Sequence, residues 1–167
     1  RIAESLYMDG YISYPRVDNT VYPSSLDLAA TLKNIMGNPA YKPYCEELLK
    51  KGNLKATRGK KETTDHPPIY PTASATPDDL APAEYKLYNL IARRFMATLS
   101  DAAVVEGTKV TLDVQGEPFV AKGDVLVNPG FRAIYPYGLK KDEQLPSLSE
   151  GQEVVFGGAT CTKKQTE

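Results

Sequence analysis

Apolar residues recur at helical spacing through the first hundred positions and then switch to a period of two. Residues 1–7, Arg-Ile-Ala-Glu-Ser-Leu-Tyr, read as a helix entered midway, without a starting methionine or a cap. Leu28, Leu32, Ile35 and Met36 predict a second helix, capped by Ser24 or Ser25 and stopped by Gly37. A third covers 41–51, with Lys50 and Lys51 in its last turn and Gly52 beyond. The longest is expected from Pro82 to about Leu99, with proline where a first helical residue tolerates it. Its buried stripe is Tyr85, Tyr88, Ile91, Ala92, Phe95 and Leu99. Between the third and fourth helices, residues 63–77 hold four prolines and are expected to be extended.

Past Ser100, the series Val105, Thr108, Val110, Leu112 and Val114 leads to Gly116-Glu117, and Phe119-Val-Ala-Lys begins a returning strand. Residues 126–130 read as a turn, and further strands are expected at 131–135, 152–156 and 159–163. The pattern therefore predicts an α+β chain, with a helical domain over 1–101 and a β-rich segment over 102–167. No repeat or low-complexity tract interrupts it.

A chain of 167 residues, 41% hydrophobic, buries one ordinary core or two small ones. It has no apolar run of membrane-spanning length. The formal charge is −1 and the isoelectric point about 6.0, which is not the overall signature of a nucleic-acid binder. Local basic surface matters more than the sum. Residues 50–61 hold six basic side chains and no acid. A solvated loop between helices is the favoured reading of that run, with a DNA-contacting loop as the alternative. Its glycines, Gly52 and Gly59, lie seven apart rather than five, and no Ser or Thr follows Lys60, so it is not a Walker A loop. Two cysteines, Cys45 and Cys161, and one histidine assemble no tetrahedral zinc site. Reduced thiols in an intracellular protein are expected.

The densest chemistry lies in Gly10-Tyr-Ile-Ser-Tyr-Pro-Arg-Val-Asp18. A tyrosine attacks a phosphodiester and holds it covalently, and a guanidinium clamps two phosphate oxygens at once. Pro15 favours an extended segment, which lets Tyr14 and Arg16 face the same way. Most tyrosines are structural, and an isolated Arg16 would be an ordinary surface ion-pair residue. It is the combination that singles these two out. Asp18 has two readings, orienting Arg16 or positioning DNA on one side, and a helix-entry or turn residue on the other. The single histidine, His66, sits in Thr64-Asp-His-Pro-Pro-Ile-Tyr-Pro-Thr72. A phosphate contact is the preferred reading, against a satisfied structural histidine.

The first of these segments closely resembles the active-site signature of type IA DNA topoisomerases, Gly-x-Ile-(Ser/Thr)-Tyr-x-Arg-Thr-Asp-(Ser/Asn), with Val17 in place of the usual threonine. The second is similar to the family's downstream (Ala/Asp)-His-x-(Ala/Pro)-Ile-x-Pro-(Thr/Ser) box, with Tyr70 where a basic residue is often found. Pro129-Gly-Phe-Arg-Ala-Ile-Tyr-Pro136 is similar to the family's Gly-(Phe/Trp)-x-x-(Val/Ile)-Tyr strand. All three occur in the family's order.

The resemblance implies a helical domain bearing the nucleophile, inserted into a β-rich domain of which 102–167 is one returning, incomplete part. It implies Tyr14 as the nucleophile, forming a link to the 5′ phosphate of single-stranded DNA, with Arg16 stabilising the pentacovalent phosphate and His66 and Asp18 near the DNA. It also implies that Mg²⁺ and further acid-base groups belong to a Toprim domain elsewhere in the parent topoisomerase, with no cofactor held by these residues. On this reading the segment is a nearly inert piece of a longer, DNA-associated protein of the cytoplasm or nucleoid, and no membrane is involved. A tyrosine recombinase fits poorly, because its His-x-x-Arg box precedes the nucleophile, whereas here Tyr14 comes first and Ile69 stands three after His66. A non-enzymatic helical DNA-binding module explains the helices and the basic run but not the two paired boxes.

Overall fold

The computed structural model describes residues 1–138, 141–163 and 165. Four helices precede a two-stranded hairpin and a short 3-10 turn: α1 Ile2–Met8, α2 Leu28–Ile35, α3 Lys42–Lys50, α4 Pro82–Thr98, β1 Val104–Val114, β2 Glu117–Asn128 and the turn Gly130–Ala133. The chain is thus mixed α+β. It divides into two compact units, Arg1–Val104 with Asn128–Leu139, and Val105–Val127 with Lys140–Glu167.

The helical unit is built around α4, which packs against α1, α3 and the 3-10 turn. Tyr88, Ala92, Phe95 and Met96 of α4 are fully buried with Leu6 of α1, Leu32 and Ile35 of α2, and Tyr41 and Cys45. Tyr85 and Ile91, expected in that stripe, are only half-buried, while Met96 and Ala97 are buried. Burial extends round the helix because it is flanked on several sides, so one amphipathic stripe understates it. The cap of α2 is Asp27, whose carboxylate accepts the Ala30 N–H at 2.9 Å. This corrects the expectation of Ser24 or Ser25. An aspartate directly before the first helical residue is as good an N-cap and carries the favoured charge there.

The proline-rich stretch between α3 and α4 is held by side chains. Pro67, Pro68 and Pro71 have no N–H to offer a ladder, so its carbonyls are met from outside. The Tyr22 hydroxyl donates to Ile69 O at 3.1 Å, Tyr88 to Ala73 O at 2.6 Å, and the Asn38 amide to Ala75 O at 2.7 Å.

The strand expected at 131–135 is instead the 3-10 turn. Pro129 precedes Gly130, which has a positive φ of 47°, and Phe131 N donates to Asp101 O at 2.9 Å. Ile134 is buried, and its carbonyl accepts from the Arg93 guanidinium at 3.0 Å. A turn of period three brings Phe131 and Ile134 to one side, which alternation does not.

In the second unit β1 and β2 form a hairpin joined at Gln115 and Gly116, both with positive φ (56° and 89°). Two consecutive left-handed residues make the turn that matches strand twist. Residues 152–156 and 159–163 form no strand, which corrects the expected β-rich tail. Val154, Val155 and Phe156 are exposed. Alternating apolar residues become a strand only when a neighbouring edge supplies hydrogen bonds. The tail's residues 164, 166 and 167 lie outside the described residues.

Candidate active site

The signature begins where α1 ends. Gly10 has a φ of 80°, Gly10 N donates to Tyr7 O at 3.0 Å and Tyr11 N to Leu6 O at 2.8 Å. This pair of bonds is the Schellman stop, which needs a left-handed residue. A Cβ at Gly10 would meet nothing within 4 Å, so backbone conformation rather than crowding requires glycine here. The turn sends Tyr11, Ile12 and Ser13 off the helix in an extended line.

That line pairs with the histidine box. Ile12 and Pro71 form an antiparallel bridge. Ser13 N donates to Tyr70 O at 3.0 Å and Thr72 N to Tyr11 O at 3.0 Å. Tyr70 N is received by the Ser13 hydroxyl at 3.0 Å, and the Thr72 hydroxyl donates to Gly10 O at 2.6 Å. The two motifs, more than fifty residues apart in sequence, are therefore zipped side by side.

The pairing places three rings together. The His66 imidazole lies 4.6 Å from the Tyr14 ring, tilted by 47°. On its other contact Tyr14 meets Tyr7 edge-on at 5.4 Å and 76°. Tyr14 is half-buried and His66 exposed. Three other tyrosines are set apart by their surroundings. Burial pushes the phenols of Tyr22, Tyr41 and Tyr88 well above the ordinary range, which suits core packing and opposes ionisation on attack.

Arg16 is exposed and forms an ion pair with Glu4 of α1. Asp18 pairs with Lys61 at 2.6 Å rather than with Arg16. The neighbouring Thr20 ties down the basic run: its N–H donates to Lys61 O at 2.8 Å, and Gly59 N donates to Thr20 O at 2.9 Å. A Cβ at Gly59 would collide with the Thr20 side chain. Part of the basic run is thereby laid against the extended segment that follows Tyr14.

The Thr63 hydroxyl, 2.5 Å from Asp65, and then the His66 backbone N–H hold the Asp65 carboxyl below its ordinary range. Among the described residues no group of three or more His, Cys, Asp or Glu side chains is placed to hold a metal ion. Among the same residues no helix is long and apolar enough to cross a membrane.

Sequence patterning alone does not single out Glu4 or Tyr7, and it gives Asn19 no role. Glu4 and Tyr7 stand three apart on one face of α1, a spacing that hints at a shared neighbour without naming it. Asn19 ends the signature, and its amide donates to Thr63 O at 2.9 Å and His66 O at 3.1 Å.

Known proteins share this chain's sequence from end to end. The DNA topoisomerase family matches over residues 1–167. The chain is 43% identical over 166 residues to DNA topoisomerase 1 of Archaeoglobus fulgidus, covering 99% of this chain and 25% of that protein. It is 35% identical to DNA topoisomerase 3 of Dictyostelium discoideum, covering 98% and 20% respectively. Against human DNA topoisomerase 3-alpha the identity is 33%, covering 100% and 17%. The chain thus spans a quarter or less of the length of these relatives. A whole-length family match, together with the two signature boxes that pair around Tyr14 and His66, identifies the chain as a member of the type IA DNA topoisomerase family.

Proposed function

We propose that Tyr14 is the nucleophile with which the whole protein opens and reseals single-stranded DNA. The Tyr14 phenolic oxygen attacks a backbone phosphorus, and the bond to the 3′ oxygen breaks. The 5′ phosphate stays on tyrosine while the phenolic proton passes to the departing 3′ oxygen. Reversal by that hydroxyl restores both DNA and phenol. One phosphodiester replaces another, so relaxation of supercoils by strand passage needs no ATP.

Arg16 supplies two parallel donors to the phosphate oxygens, strongest as charge gathers on the phosphorane. His66 contacts phosphate beside the Tyr14 ring it leans against, and Asp18 acts through Lys61 to set the DNA-facing loop. Mg²⁺ is assigned to the Toprim domain of the whole protein. Alone, these 167 residues should bind single-stranded DNA weakly and leave supercoils intact. The protein's place in the cell is with DNA, in the cytoplasm or nucleoid.

The observation that carries this reading is the pairing of residues 10–13 with 70–72, which seats His66 on Tyr14. Tyr14→Phe in the whole protein tests it, since the ring still fills its place and only the attacking oxygen is lost. Cleaved DNA should disappear while binding persists. Cleavage at the wild-type level would move the nucleophile elsewhere.

A further inference from the structure

Beyond the nucleophile, the structure assigns Asn19 as the positioning residue that holds His66 against Tyr14. The inference rests on the role of Tyr14 as nucleophile. The Asn19 amide bridges two segments of the chain. Its nitrogen donates to Thr63 O at 2.9 Å and to His66 O at 3.1 Å. Its oxygen accepts Val21 N–H at 2.9 Å. Two carbonyls on one side and an N–H on the other fix which end is nitrogen. Asn19 itself is half-buried.

The histidine depends on this bond because two prolines come directly after it. Pro67 and Pro68 have no N–H, so the backbone beyond His66 makes no donor contact until Tyr70 N reaches the Ser13 hydroxyl at 3.0 Å. Upstream, Thr63 and Asp65 bond to each other, which shapes the loop without anchoring it to the tyrosine segment. Thr20 holds Lys61 O further upstream, and Tyr22 holds Ile69 O three residues beyond the histidine. Asn19 is the side chain that bonds His66 itself, and Ser13 is the tether at Tyr70. Both lie on the extended segment that carries Tyr14. A side chain five residues past the nucleophile sets the distance between phenol and imidazole without touching DNA.

The consequence is a loss of rate without a matching loss of binding. A shift of about 1 Å in a catalytic group costs up to about a hundredfold. Asn19→Ala in the whole protein should slow single-turnover cleavage of a 5′-labelled single-stranded oligonucleotide by about 30-fold. The Kd for that oligonucleotide, read by anisotropy, should change by less than about threefold. Asn19→Ser keeps one short donor and one acceptor, and should recover most of the rate. The decisive arm is a double-mutant cycle with His66→Ala. If Asn19 acts through His66, adding Asn19→Ala to His66→Ala costs nothing more.

An unchanged rate in Asn19→Ala overturns the assignment. So does an equal further loss in the His66→Ala background, because Asn19 would then act independently of the histidine. Should Asn19→Ala fail to unfold cooperatively, Asn19→Ser carries the same cycle, with a smaller loss that must again vanish without His66. Tyr14→Phe runs alongside. Cleavage surviving in that control would sink the nucleophile reading, whereas loss there with an uncoupled Asn19 sinks only this one.

Discussion

The Arg16 guanidinium, which would meet DNA phosphate, is held by the Glu4 carboxylate. A carboxylate presents two oxygens to a guanidinium much as a phosphate does, so on the proposed role of Arg16, Glu4 competes with DNA phosphate for it. The side chains are 72% and 49% exposed, hence the pair is screened and cheap to break. Glu4→Gln in the whole protein should tighten single-stranded DNA binding by about threefold at low salt. The gain should fade by about 1 M salt, where the Debye length falls to about 3 Å. Anisotropy titrations at two salt concentrations check this, and weaker binding at low salt would make Glu4 a support for Arg16 rather than its competitor.

Asp65 gives a pH test of the loop beside Tyr14. Its carboxyl is held low chiefly by the Thr63 hydroxyl, then by the His66 N–H. Because its folded value is depressed, the contribution of these bonds to the loop is present above the ordinary carboxylate range. It is lost as pH falls through the lower folded value. Thr63→Ala removes the larger cause, so Asp65 should titrate at higher pH than in the parent. A carboxyl-carbon NMR titration of Asp65 reads the change directly. An unshifted curve would mean the hydroxyl does not hold that carboxylate.

The core makes its own prediction through the thiols. Cys45 is fully buried, and burial, reinforced by Glu46, pushes its thiol up to about 12. Cys161 is exposed. Since the thiolate is the reactive form, Cys161 should be alkylated readily at neutral pH. Cys45 should react only on unfolding, at least about a hundredfold more slowly. Peptide mapping after timed iodoacetamide treatment checks both. Equal rates would contradict the packing of Cys45 against α4.

The parts legible in sequence are those that local pattern controls. α4 announces itself by Pro82 and a run of spaced apolar residues, and the hairpin by alternation leading to Gly116-Glu117, one residue past the observed turn at Gln115-Gly116. Asp27 displaces the serines as the cap because several residues near a helix start compete with similar energies. The strands expected at 131–135, 152–156 and 159–163 fail to form for another reason. Whether alternating apolar residues pair depends on a neighbouring edge, which no local window contains. The motif residues Tyr14, Arg16, Asp18 and His66 are visible through chemistry and order. Their partners Glu4 and Tyr7 are not, and neither are the pairings of Asp18 with Lys61 and of Asn19 with the His66 loop, because such contacts form only when distant segments fold together.

The central claim is that the Tyr14 oxygen carries the broken strand, and the most direct test is to find it there. The whole protein, incubated with a single-stranded oligonucleotide and quenched in denaturant, is digested with protease and nuclease. Mass spectrometry should then locate a nucleotide attached through its 5′ phosphate on the peptide containing Tyr14, and on no peptide from Tyr14→Phe. A nucleotide on another residue, or one joined through its 3′ phosphate, would contradict the account.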